Sequence, residues 1–296
     1  MQRTLARSPA RIRNGFSLID LLVLIAVVVV VAALFLMRLS GSRESSRRMG
    51  CEEKLRSVFV AMESYSLRYG HFPIGTQNPT APIRSEPLGY HQNWISGLLP
   101  MLDRQDLFDQ INFDVGVYAP QNASVAATSM PELMCPASAA TLPANATSYA
   151  ASASSVERPI DGLSDGMFLL GRPLSARDAS DGASFVLMLG EKSRELAQPR
   201  QWNSGTRASL RTAGHVINRP EFAAVGPEAV DPLYVGGFSS NHIGGAYFLF
   251  VDGSFRFLSE DTDLQILQQL AGRSDHSTQT AATESETDAV SVQRAD

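Results

Sequence analysis

Few residues in this chain combine the type and spacing that chemistry needs, and they fall in three places. His242 and Asp252-Gly253 flank an apolar run, an imidazole and a carboxylate able in principle to pass a proton or share a cation. Cys51 and Cys135 are the two cysteines, without C-x-x-C or finger-like spacing, and fit either one disulfide or two buried thiols. Gly15-Phe16, followed by Asp20, sits where a basic stretch gives way to an apolar one. The chain contains no HExxH, no G-x-S-x-G and no phosphate-binding loop. His71, His91, His215 and His276 form no zinc-like spacing; Asp161, Asp165, Asp178 and Asp181 lack the EF-hand pattern of a calcium loop, and Asp-Gly turns account for Asp161, Asp165 and Asp181. No catalytic residue, metal ligand or cofactor is assigned.

The elements that must position His242 and Asp252 argue against a dyad. Gly245–Leu258 reads as a hairpin about Asp252-Gly253, a type I′ turn with Val251 facing Ser254 and Phe248 facing Phe257. A strand from Gly245 to Asp252 covers roughly 23 Å. The three residues back to His242 recover at most ~10 Å. His242 is thereby placed near Asp263, at the far end of the hairpin, as a locally hydrogen-bonded residue, and Asp252 becomes a turn residue. With its first strand apolar on both faces, the hairpin is expected to be central in its sheet.

At the other end of the chain, Phe16–Met37 contains only Ser17 and Asp20 as polar residues. As a helix it reaches about 33 Å, enough for one membrane span. Arg3, Arg7, Arg11 and Arg13 precede it without an acid, while Arg38, Arg43, Arg47 and Arg48 follow it, so charge alone does not orient the span. Helix continues beyond it: Leu55, Val58, Phe59, Met62, Tyr65 and Tyr69 form an amphipathic stripe that Gly70 and Pro73 end. Short helices are expected over 94–102 and 103–111, a mostly loop region over 119–155 holding a short strand at 131–136, strands over 166–170 and 184–190, and a closing helix over 263–270. Segment 194–232 shows no clear pattern, and 273–296 is polar with almost no large apolar residue. The formal net charge of −5 includes the basic leader, so the remainder is acidic and has no electrostatic reason to bind nucleic acid.

Gly15-Phe16-Ser17-Leu18-Ile19-Asp20-Leu21-Leu22 resembles the prepilin cleavage and methylation motif of type IV pilins and type II secretion pseudopilins. The resemblance implies cleavage after Gly15 by a prepilin peptidase, N-methylation of Phe16, a cytoplasmic leader and an extracytoplasmic C-terminal part. Asp20 stands where that family has glutamate, a carboxylate thought there to pair with a neighbouring subunit's N-terminal ammonium. Asp keeps the charge and reaches one methylene less. His242, nine residues and Asp252-Gly253 also resemble the signature of a bacterial prepilin-like family of unknown function. Arg47-Arg48-Met49-Gly50-Cys51, Gly70-His71-Phe72-Pro73, Met134-Cys135-Pro136, Thr147-Ser148-Tyr149 and Gly190-Glu191 agree with it in order. The closing Ala271-Gly272-Arg273 departs from that family's usual end.

Together these readings give an α+β protein whose long N-terminal membrane-spanning helix packs on an outer domain with a mainly antiparallel, pseudopilin-like sheet. Its expected parts are a leader over 1–15, an anchor over 16–37, an amphipathic helix over 38–70, an outer domain over 71–272 and a polar tail over 273–296. The expected role is non-enzymatic: a processed, N-methylated subunit, single-pass in the inner membrane, of a type II secretion pseudopilus-like assembly. Its expected partners are the prepilin peptidase/methylase, the membrane and other pilin-like subunits. The alternative is a membrane-anchored extracytoplasmic binding domain that uses the pilin-like start only for export.

Overall fold

The structure, a computed structural model, describes residues 18–193, 201–219 and 230–274, and the side chains of all of these except 33–43. Gly15, Phe16, the leader and nearly all of the expected tail lie outside the described residues. The chain divides into two compact units, Met1–Ser46 and Arg47–Asp296.

Helix α1 (Leu18–Tyr69) has Asp20 in its first turn. Its large apolar side chains between Leu18 and Val31 are exposed, from Leu18 at 77% to Val31 at 46%. Among the described residues no helix is long and apolar enough to cross a membrane, and the expected span over Phe16–Met37 lies partly outside the residues whose side chains are described.

The second unit is α+β with a mixed sheet. After α1 come β1 (Thr76–Gln77), β2 (Gln92–Asn93), α2 (Trp94–Leu98), α3 (Gln105–Phe108), α4 (Ala123–Ala127) and β3 (Tyr149–Ser154). There follow β4 (Leu187–Glu191), β5 (Leu210–Thr212), β6 (Gly245–Phe250), β7 (Phe255–Ser259) and α5 (Leu264–Ala271). The five-stranded sheet runs β5-β3-β4-β6-β7, with β1 and β2 paired apart from it. The β3–β5 pair is parallel and the other pairs are antiparallel, so the expectation of a mainly antiparallel sheet is refined to a mixed one. The parallel pair arises because a long excursion between β4 and β5 returns the chain to the far side of β3.

Strand alternation sorts the core into two layers. On one face Tyr149, Ala151, Ala153, Met188, Leu249 and Val251 join Cys51, Leu55, Val58, Ala61 and Met62 of α1. On the other, Ala150, Leu187, Phe248 and Phe250 pack with Phe238 and with Leu267 and Ala271 of α5. The sheet is therefore sandwiched between the second half of α1 and α5. Asp263 caps α5 by accepting from the Gln265 amide at 2.7 Å.

Several local expectations change. The hairpin register pairs Phe248 with Arg256 and Tyr247 with Phe257, one residue from the expected pairing. Phe250 accepts from the Gly253 amide (2.9 Å) and donates to the Ser254 carbonyl (3.0 Å), closing a three-residue loop. Gly253 alone takes a positive φ, +83°, whereas a type I′ turn would need Asp252 there too. A one-residue slip exchanges the faces of β7's side chains. The hairpin is not wholly central: β6 lies between β4 and β7, and β7 forms the edge. Pro131–Leu133 is a 3-10 turn rather than a strand, as proline at its start favours. Gly166–Leu170 is not a strand; Leu170 makes an isolated bridge to Thr76. The expected loop region holds β3 at the heart of the sheet.

Candidate functional site

Four side chains from distant segments meet beneath the end of β4. Cys51 comes from α1, Cys135 follows the 3-10 turn at Pro131–Leu133, Glu191 ends β4, and His242 lies in the loop entering β6. Each is placed by backbone contacts. Antiparallel pairing sets Tyr149 opposite Glu191, and the Tyr149 hydroxyl donates to the Cys51 carbonyl at 3.3 Å. The Cys135 amide donates to Ser148 Oγ at 3.0 Å, next to Tyr149 on β3. The Glu191 carbonyl accepts from the Ser239 amide at 3.0 Å, which draws in the segment leading to His242.

Cys51 and Cys135 are joined in a disulfide that closes 84 residues and ties α1 to the sheet. His242 Nε2 lies 3.5 Å from Cys135 Sγ and 3.4 Å from Glu191 Oε1. Glu191 Oε2 accepts from the Tyr247 amide at 2.8 Å and from Ser240 Oγ at 2.9 Å, and Ser240 Oγ in turn accepts from the His242 amide. The His242 ring meets the Tyr247 ring edge-on at 5.6 Å, and Tyr247 meets Phe257 in the same way at 5.1 Å. Arg48 covers this side, its guanidinium 4.4 Å from the Phe257 ring centre and donating to the Ile243 carbonyl. Burial raises the Tyr149 phenol well above its usual range, and the nearby Glu191 charge raises it further, so it stays a hydrogen-bond donor.

The site requires one close backbone approach. A Cβ on Gly190 would lie 2.5 Å from Phe238 and 2.7 Å from Phe248, so only glycine lets these rings seat beside Glu191.

Asp252 is at the turn, where its carboxylate accepts from the Ser254 amide at 2.9 Å. His242 lies at the other end of the hairpin, where the Glu260 amide donates to the Gly244 carbonyl. The two are not brought together. The acid facing His242 is Glu191, to which the sequence reading gave no role, rather than Asp263, which caps α5. Glu191 was visible only as part of Gly190-Glu191 in the family-like pattern; nothing in its local sequence marks it as a histidine partner.

Other carboxylates brace loops. Burial raises the Asp165 carboxyl, but hydrogen bonds from Ser155 and Ser154 outweigh it and hold the group below its usual range. Glu157 follows the same balance, with His215, Val235, Thr212 and Gly236 as its partners. Asp161 accepts from Leu163, Ser164 and Arg158, and Asp178 completes a capping box with Ser175. These contacts fix turns and a helix start around the sheet.

The fold and site define an α+β domain stapled by a disulfide to a long N-terminal helix. The chain belongs to the family described as "Protein of unknown function (DUF1559)", which matches residues 41–265. That match covers Cys51, Cys135, Glu191 and His242, so the whole cluster lies inside the family domain. No curated protein matches the chain, and no solved structure does.

Proposed function

We propose that this protein is a prepilin-like structural subunit: cleaved after Gly15, N-methylated on Phe16, anchored in the inner membrane by its first helix, and assembled through that helix with pilin-like partners. The observation that carries this reading is the exposed apolar surface at the start of α1, where Leu18, Ile19, Leu22, Val23 and Val28 are all more than half exposed. Continuous exposed apolar surface of this kind needs lipid or a neighbouring helix to cover it. Asp20, in the first turn of α1, supplies a carboxylate for a neighbouring subunit's N-terminus.

The disulfide supports an extracytoplasmic domain, since such bonds persist in oxidising compartments. A structural role rather than an enzymatic one is supported by the closure of the His242–Glu191 cluster, both members of which are below 4% exposure. The test combines two substitutions. Gly15→Trp should leave an unprocessed precursor, and Asp20→Ala should permit processing while abolishing crosslinks between neighbouring helices. Asp20→Ala with full crosslinking would leave the helix as an anchor only, and a wild-type mature protein that still begins at Met1 would remove the processing step.

A further inference from the structure

The sulfurs of Cys51 and Cys135, a nitrogen of His242 and an oxygen of Glu191 all lie within 4.8 Å of one another, and all four residues are buried. Glu191 commits Oε2 to Tyr247 and Ser240, whereas buried Oε1 accepts no hydrogen bond and faces His242 Nε2 at 3.4 Å. Zinc–ligand lengths of about 2.3 Å to sulfur and about 2.0–2.1 Å to nitrogen or oxygen give tetrahedral edges of about 3.3–3.4 Å for N to O and about 3.5–3.6 Å for S to N. The observed separations, 3.4 Å for His242 Nε2 to Glu191 Oε1 and 3.5 Å for His242 Nε2 to Cys135 Sγ, sit on those edges. The sulfur pair does not fit, because the two atoms are bonded to each other.

We infer that breaking the Cys51–Cys135 bond converts this cluster into a closed tetrahedral site for a zinc-class divalent cation, ligated by Cys51 Sγ, Cys135 Sγ, His242 Nε2 and Glu191 Oε1. A dithiol supplies the two electrons. It attacks one sulfur, forms a mixed disulfide and leaves as its own disulfide, with two protons ending on the Cys51 and Cys135 thiols. The cation then binds two thiolates and releases those two protons. Two thiolates and one carboxylate against a double positive charge leave one net negative charge, with the Tyr149 hydroxyl and the Tyr247 amide close by. Glu191 needs no rearrangement, since Tyr247 and Ser240 already fix its second oxygen. The cation takes over the tie between α1 and the sheet, so the fold keeps a staple in both redox states. This inference stands apart from pilin-like processing and rests on the outer domain alone.

The test uses the full-length protein in mild detergent, reduced with dithiothreitol, desalted without oxygen and titrated with Co²⁺. The expected result is one Co²⁺ per reduced chain, with the absorption bands of tetrahedral thiolate-ligated cobalt and an unchanged circular dichroism spectrum, and no such bands from the oxidised protein. Glu191→Gln and His242→Gln should each weaken the affinity at least about tenfold. The assignment is overturned if the reduced wild-type protein takes up no stoichiometric Co²⁺ or does so only on unfolding. Equal binding by the oxidised protein, or by both variants, overturns it as well.

Discussion

Replacing both Cys51 and Cys135 with alanine should cost this domain a large share of its stability. The bond closes 84 residues and holds α1 to the segment that leads into β3, whose Ser148 accepts from the Cys135 amide. In the chain-entropy description, a loop of that length lowers the entropy of the unfolded chain by about 15 cal/mol/K, or about 4.5 kcal/mol at 25 °C. Both sulfurs are fully buried, so their removal also leaves a small void worth roughly 1 kcal/mol. The expected loss is therefore about 5 kcal/mol, set against a typical total of about 5–15 kcal/mol. Guanidinium unfolding followed by circular dichroism, with wild-type and variant proteins in the same detergent, measures it. The thermal midpoint should fall by roughly 10 °C or more. The single Cys51→Ala variant should lose nearly as much, because the link is gone in either case. A loss below about 1 kcal/mol in the double variant would refute the claim that this bond fastens α1 to the sheet.

Three further outcomes follow from named contacts. Gly190→Ala pushes a methyl against Phe238 and Phe248, whose rings already touch edge-on at 5.2 Å, and should cost about 1–3 kcal/mol by urea unfolding. Burial lowers the His91 pKa from 6.5 to about 4, with the Glu86 charge opposing it only in part. Between those values the unfolded chain binds a proton that the folded one refuses, so stability should fall as pH drops from 6.5 toward 4 and stay level above that range. His91 has a φ of +46°, which asparagine tolerates, so His91→Asn should flatten this slope; an unchanged slope counts against the assignment. Asp165, held below its usual pKa, contributes stability above the ordinary carboxyl range that is lost as pH falls through its folded value. Asp165→Asn should cost about 1.5–3 kcal/mol at pH 7, with the gap to the wild-type protein narrowing toward pH 3 in paired denaturant titrations.

Segments whose pattern is local were legible in the sequence. The stripe Leu55, Val58 and Met62 is the buried face of α1, and Gly70 follows its last residue. The Gly245–Leu258 hairpin lies where the Asp252-Gly253 turn signal puts it, and the closing helix, Leu264–Ala271, is within one residue of the expected 263–270. The hairpin register was off by one because Asp-Gly serves two turn types, and only the backbone conformation of Asp252 chooses between them. Strand β3 was hidden by its composition: Tyr149-Ala-Ala-Ser-Ala-Ser154 has little of the β-branched or aromatic content that marks strands. Small residues are what the position demands, since β3 is buried on both faces between β5 and β4. Missing β3 also concealed the site. The pairing of Tyr149 with Glu191 carries Glu191 toward Cys135 and His242, and without β3 that register has nothing to rest on. The cluster is assembled by non-local pairing, so no spacing along the chain announces it.

The N-terminus of the protein recovered from membranes tests pilin-like processing most directly. Intact-mass and N-terminal peptide measurement should find a mature chain beginning at Phe16 and carrying one N-methyl group. A wild-type protein that still begins at Met1, or an unmethylated Phe16 in a protein that nonetheless assembles with its neighbours, would contradict it.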